Sequence, residues 1–145
     1  MSLSLEIPTN YNEIILYSNY DKLQKVIAEL LKNAIKYTHE GEIKIRAEVI
    51  NKKVSVNSQQ FMNMIKIEVN DTGIGVPLDQ QNNLFKPFFD SGRNRRTKFC
   101  NSTGIGLALS KGLVKNMGGE IIFYSLGEGL GSTVTFTIPM SGSLG

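Results

Sequence analysis

At 145 residues the chain has room for one hydrophobic core, and 41% hydrophobic with 20% charged residues is ordinary globular composition. A net charge of +3 and a pI near 9.0 are too mild to require a nucleic-acid or membrane partner. One cysteine, Cys100, excludes an intrachain disulfide framework, and one Cys with one His, His39, cannot build a tetrahedral zinc site.

No apolar run approaches membrane-spanning length, and no secretory signal is visible. The domain is expected over residues 5–140. MSLSLE reads as an appended start, SGSLG over 141–145 as a flexible tail, and the whole as a piece of something longer. In residues 5–20 the best strand is Ile14–Tyr17. Ser18 or Asn19, with Asp21, then offers capping chemistry for a helix. In that helix Leu23, Val26, Ile27, Leu30, Leu31, Ala34 and Ile35 recur at helical spacing as one apolar stripe. The helix is expected to end near Tyr37–Thr38, before a turn at His39-Glu40-Gly41. Alternation predicts strands at Glu42–Ile50 and Met64–Asn70, paired as a hairpin across the polar connector Asn51–Gln60, which is expected to be exposed and mobile. Leu78–Phe85 is a short helical candidate. Asp90–Thr103 is a basic loop suited to ordering around an anion. A second helix is expected from Leu107 to about Met117, closed by Gly118-Gly119. Ile121–Leu126 and Thr133–Ile138 complete the strands. This order predicts an α/β fold: a two-layer α/β sandwich, a mixed sheet with helices over one face.

Several residues stand out against that frame. If Asp71 continues the second hairpin strand, it points to the same face as Ile65, Ile67 and Val69. A carboxylate there needs a partner, because burying it alone is costly. Gly73-Ile74-Gly75 follows Asp71, and Gly104-Ile105-Gly106 opens the second helix. Glycine lets backbone approach a flat ring or a phosphate, and a helix N-terminus favours anions. Neither loop matches the phosphate-loop or dinucleotide fingerprint. On the first helix Glu29 and Asn33, at i and i+4 beside the buried seam, can share a cation, and Lys36 is within reach of a phosphate. Together these features favour a purine-nucleotide pocket.

The motifs, taken in order, resemble the ATP-binding catalytic domain of sensor histidine kinases, within the gyrase, Hsp90, histidine kinase and MutL ATPase superfamily. The N-box is Asn33-Ala34-Ile35-Lys36-Tyr37-Thr38. The first glycine box is Asp71-Thr72-Gly73-Ile74-Gly75-Val76, and the phenylalanine box is Leu84-Phe85-Lys86-Pro87-Phe88-Phe89. The second glycine box is Thr103-Gly104-Ile105-Gly106-Leu107, and Gly129-Leu130-Gly131-Ser132-Thr133 closes the set.

This resemblance implies a Bergerat-type ATP-binding fold and roles for single residues. Asp71 would accept the adenine amino group, with Gly73 and Gly75 against the base. Asn33 would coordinate Mg²⁺, Lys36 would contact phosphate, and Tyr37 would pack near base or ribose. Thr103, Gly104, Ile105, Gly106 and the amide of Leu107 would cradle the phosphates. Ser132, where the family usually has Thr, would hold a water beside the adenine. Arg93, Arg95, Arg96 and Lys98 would form an ATP lid based on Phe85, Phe88 and Phe89. Glu29 stands where many histidine kinases have Asn and other branches a general base, so it is a candidate for catalysis or for the metal. Ser102 replaces a usual Gly at the lid hinge. The implied cofactors are ATP and Mg²⁺. The implied partners are a dimerisation and histidine-phosphotransfer domain of the same protein and, indirectly, a response regulator receiver domain, with no nucleic acid and no direct membrane contact. His39, in a turn, is expected to be a surface residue and not the phosphoacceptor. A cytoplasmic location is implied, as part of a sensor of the kind that can be membrane-bound.

Overall fold

A computed structural model describes residues 2–6, 13–16, 20–38, 40–76, 78–83, 85, 106–127 and 129–144. Its strands are β1 (Ser2–Glu6), β2 (Glu13–Leu16), β3 (Glu42–Ile50), β4 (Val54–Val56), β5 (Gln59–Phe61), β6 (Asn63–Asp71), β7 (Glu120–Tyr124) and β8 (Ser132–Leu144). The helices are α1 (Tyr20–Tyr37) and α2 (Gly106–Asn116), with a 3-10 helix at Leu78–Asn83.

The main sheet runs β1-β3-β6-β8-β2, with β7 also paired to β8. Only the β1–β3 pair is parallel, so the sheet is mixed as expected. Period-2 alternation places successive rows of side chains on the helix side of the sheet. Register aligns Val49, Ile65 and Ile138 in one row, then Ala47, Ile67 and Phe136, then Ile45, Val69 and Val134. Against this floor α1 lays Val26, Leu30 and Ala34, and α2 lays Leu107 and Val114. Each such side chain removed from water contributes roughly 1.5–3 kcal/mol before entropy is counted. Helix α2 ends as its glycines predicted. Gly118 has φ +88°, the Gly119 amide donates to the Val114 carbonyl, and the Gly118 amide to that of Lys115, a Schellman closure.

Four expectations need correction. Ser2–Glu6 is a strand, held parallel to β3, because Leu3 and Leu5 alternate with polar residues in register with Ile43 and Ile45. Residues 141–144 are not a loose tail but continue β8, where β2 pairs with them across a bulge at Ile15/Leu16. The Asn51–Gln60 connector holds its own hairpin, β4–β5. It turns at Asn57 and Ser58, both with positive φ as a two-residue primed turn requires. Val56 of this hairpin lies over Gly118. Lastly, Ile35 leaves the apolar stripe and is 48% exposed, while its neighbour Lys36 is buried. The capping candidates Ser18 and Asn19, and residues 86–105, lie outside the described residues.

Candidate functional site

The last row of the sheet differs from the apolar rows beneath it. Ile43, Asp71 and Ser132 stand in register there, and Asp71 is only 5% exposed. The strand phase that buries Val69 also buries this carboxylate, as the alternation predicted. Two donors hold it. The Ser132 hydroxyl donates to Oδ2 at 2.7 Å, and the Gly73 amide donates to Oδ1 at 2.9 Å. An ionised carboxylate offers about four acceptor positions, so acceptor capacity remains.

The first glycine loop is clamped from both sides. The Ile74 amide donates to the Tyr37 carbonyl at the end of α1. A Cβ on Gly73 would lie 2.1 Å from that same carbonyl oxygen. Gly75 has φ +65°, and a Cβ there would lie 2.1 Å from the Gly127 carbonyl oxygen. Both glycines therefore have a packing reason within the protein itself, beside any ring or phosphate they would admit. The β7–β8 turn completes the clamp, its Gly129 amide donating to Ile74 and its Gly131 amide to Gly73.

On the α1 side, Lys36 is 6% exposed, with its ammonium 5.0 Å from the centre of the buried Tyr37 ring. A long amphipathic side chain can be buried along its stem with its head over a ring face. Asn33 is half-buried one turn earlier. Glu29 reaches across to the start of α2, where its Oε2 lies 2.7 Å from the position of a Cβ on Gly106, and Lys32 is 3.5 Å from its other oxygen. The first turn of α2 carries amides with no partner inside the helix. Leu107 is in the core, which holds this N-terminus against α1. Phe85 packs on the core and lies 5.6 Å from the Lys111 ammonium. Thr103, Gly104, Ile105, Phe88, Phe89 and the basic lid residues fall outside the described residues.

The structure thus gathers Asp71, Gly73, Gly75 and Ser132 at one end of the sheet, against the end of α1 that carries Tyr37; Glu29 meets Gly106 between the helices. No cluster of three His, Cys, Asp or Glu side chains suited to a metal occurs among the described residues. Three features escaped the sequence. Ser125 is a buried hydrogen-bond centre, Gln81 is a brace, and Thr38 has a buried hydroxyl with no hydrogen-bond partner among the described residues. A Ser next to a glycine-rich turn was the one available signal.

Residues 18–142 match the family model described as histidine kinase-, DNA gyrase B-, and HSP90-like ATPase. The chain belongs to this family. Among curated relatives of this ATPase domain, the Escherichia coli K12 aerobic respiration control sensor protein ArcB is 35% identical over 117 residues, 81% of this chain and 14% of that protein. Hybrid signal transduction histidine kinase B of Dictyostelium discoideum is 35% identical over 128 residues, 87% of this chain and 6% of that protein. The chain therefore spans a small part of such relatives. The mycobacterial sensor histidine kinase MprB shares the fold with a TM-score of 0.74 over 96% of this chain and 83% of that one, at 18% identity. Full-length ShkA in complex with AMPPNP gives 0.71 over 99% of this chain and 27% of that one, at 20% identity. The α/β sandwich and the resemblance to histidine kinase ATP-binding domains both stand. No helix of the described residues is long and apolar enough to cross a membrane.

Proposed function

We propose that this domain binds Mg²⁺-ATP and donates the γ-phosphoryl group to a histidine on a separate dimerisation domain of the same protein, from which a response regulator receiver domain is served. The observation that carries this reading is the buried Asp71 carboxylate, fixed by two donors and retaining acceptor capacity. A purine amino group supplies the missing donor. Lys36 and the first turn of α2 lie on the side toward which the triphosphate extends, and there they neutralise phosphate charge. Asn33, with Glu29, holds the Mg²⁺, which when bound offsets the charge of the phosphate oxygens. Transfer of this kind depends mainly on positioning and electrostatics, so the domain's work is to hold the nucleotide and present its end. The acceptor belongs to another domain, and the cytoplasm, where ATP is available, is the compartment that suits it.

A second reading is ATP hydrolysis with Glu29 as general base, favoured by the nearness of its carboxylate to Gly106. A non-catalytic nucleotide-sensing module is the third. The domain is mixed with its cognate histidine-bearing domain and labelled ATP. Acid-labile, base-stable phosphoprotein supports transfer, inorganic phosphate alone supports hydrolysis, and binding without either supports the sensing module. Asp71→Asn is expected to weaken ATP binding at least tenfold, since a hydrogen bond to a charged group contributes about 1.5–3 kcal/mol. The fold should survive, because an amide can still accept from Gly73. Unchanged affinity by calorimetry would remove adenine from Asp71.

A further inference from the structure

Asp71 takes its orientation from two donors that belong to different segments of the chain. Gly73 lies in the loop after β6, and Ser132 opens β8. Backbone bonds join those segments, the Gly131 amide donating to the Gly73 carbonyl, and one buried side chain adds to them. Ser125, just after β7, is 2% exposed. Its hydroxyl lies 2.6 Å from the Gly131 carbonyl oxygen, one residue before Ser132, and donates its single proton there. The Ser125 hydroxyl oxygen in turn accepts from the Val76 amide at 3.3 Å, one residue after Gly75, and from the Gly127 amide at 3.2 Å. A hydroxyl has one proton and two lone pairs, and all three are used. Gln81 braces the arrangement from outside. Its side-chain amide donates to the Val76 carbonyl at 3.0 Å and to the Ser125 carbonyl at 2.9 Å.

We propose that Ser125, braced by Gln81, is a positioning residue for adenine recognition, holding the two donors that aim the Asp71 carboxylate. The inference rests on the nucleotide-binding reading above. Without the Ser125 hydroxyl, the Gly131 carbonyl and the Val76 amide lose a shared buried partner, and the two segments are held only by the Gly131–Gly73 and Gly129–Ile74 backbone bonds and the Asp71–Ser132 pairing. The carboxylate is then aimed less firmly. Such a residue acts on selectivity for the purine amino group and not on affinity for phosphate.

The test compares ATP with purine riboside triphosphate, which lacks that amino group, by calorimetry on the folded chain. Wild type should prefer ATP. In Ser125→Ala the preference should fall about fivefold, and in Gln81→Ala about twofold, while Lys36→Ala should weaken both nucleotides alike and keep the ratio. Gln81 is partly exposed, so its variant keeps the question open to test if Ser125→Ala does not fold. A loss of fold stability alone lowers both affinities together and leaves the ratio unchanged. An unchanged ratio in a folded variant of either residue overturns the positioning role. Failure of wild type to bind either nucleotide overturns the function proposed above, and this inference with it.

Discussion

Gly131 and Gly106 border the same site but answer to different neighbours. Gly131 has φ +70°, and a Cβ on it would lie 2.3 Å from the Asp71 carbonyl oxygen, which is backbone and cannot yield. Gly131→Ala should therefore destabilise the fold by about 2 kcal/mol or more, strain and clash together. Gly106 meets only the end of the flexible Glu29 side chain. Gly106→Ala should leave the melting temperature unchanged or raised, because Glu29 can swing aside and Ala favours a helix. Thermal melts of the two variants side by side check both. Asn33→Asp should weaken Mg²⁺-dependent ATP binding, since a second carboxylate one turn from Glu29 adds like charge beside the phosphates. A Mg²⁺ titration of ATP affinity would show it. Undiminished affinity would pass the metal role to Glu29 or end it.

At the scale of elements, β1 shows how an edge strand is attached. Its inward residues Leu3 and Leu5 stay 64% and 65% exposed, so apolar burial contributes little there. Beside the backbone ladder to β3, a set of exposed ion pairs lies on the open face. Glu6 accepts from the Arg46 guanidinium at 2.8 Å and lies 3.5 Å from the Lys44 ammonium, and Arg46 also reaches Glu68. The hydrogen bond and charge of Arg46 hold the Glu6 carboxyl below its ordinary value. A carboxyl lowered in the folded state lends stability that is complete above the ordinary glutamate value and is lost as pH falls through the lowered one. An NMR titration of Glu6 should give a midpoint below the ordinary value, and Arg46→Ala should return it. Because the pair is exposed, salt should weaken the effect. The β4–β5 hairpin illustrates a different attachment, through Val56 on Gly118. That contact lies at the end of α2 far from Gly106, so the hairpin belongs to the stability of the domain and not to its site.

For the whole molecule, the core is one layer of side chains between sheet and helices, and Phe136 is the largest wholly buried side chain among the described residues. Phe136→Ala should cost about 3–5 kcal/mol, a large part of the roughly 5–15 kcal/mol that holds a domain folded. Urea unfolding should show the midpoint falling accordingly. The sandwich was legible because two periods run through the chain, 3.6 in Leu23–Ala34 and 2 in Glu42–Ile50 and Met64–Asp71, and each period commits a face to the core. That same phase made the burial of Asp71 readable before any fold was known. The β4–β5 hairpin could have been read from Asn57-Ser58 between alternating residues, but polarity hid it. The strand at 141–144 had no local signal, since small polar residues become a strand there only because β2 lies alongside. Sequence by itself therefore determined the layers, the C-terminal ends of both helices and the acid at the end of β6, because these follow from local spacing and chain geometry. Only the tertiary structure decided that Gly73 and Gly75 are clamped by protein, that Glu29 meets Gly106, and that Ser125 joins three segments. Those facts depend on residues distant in sequence arriving within a few ångströms, and no local pattern encodes such a meeting.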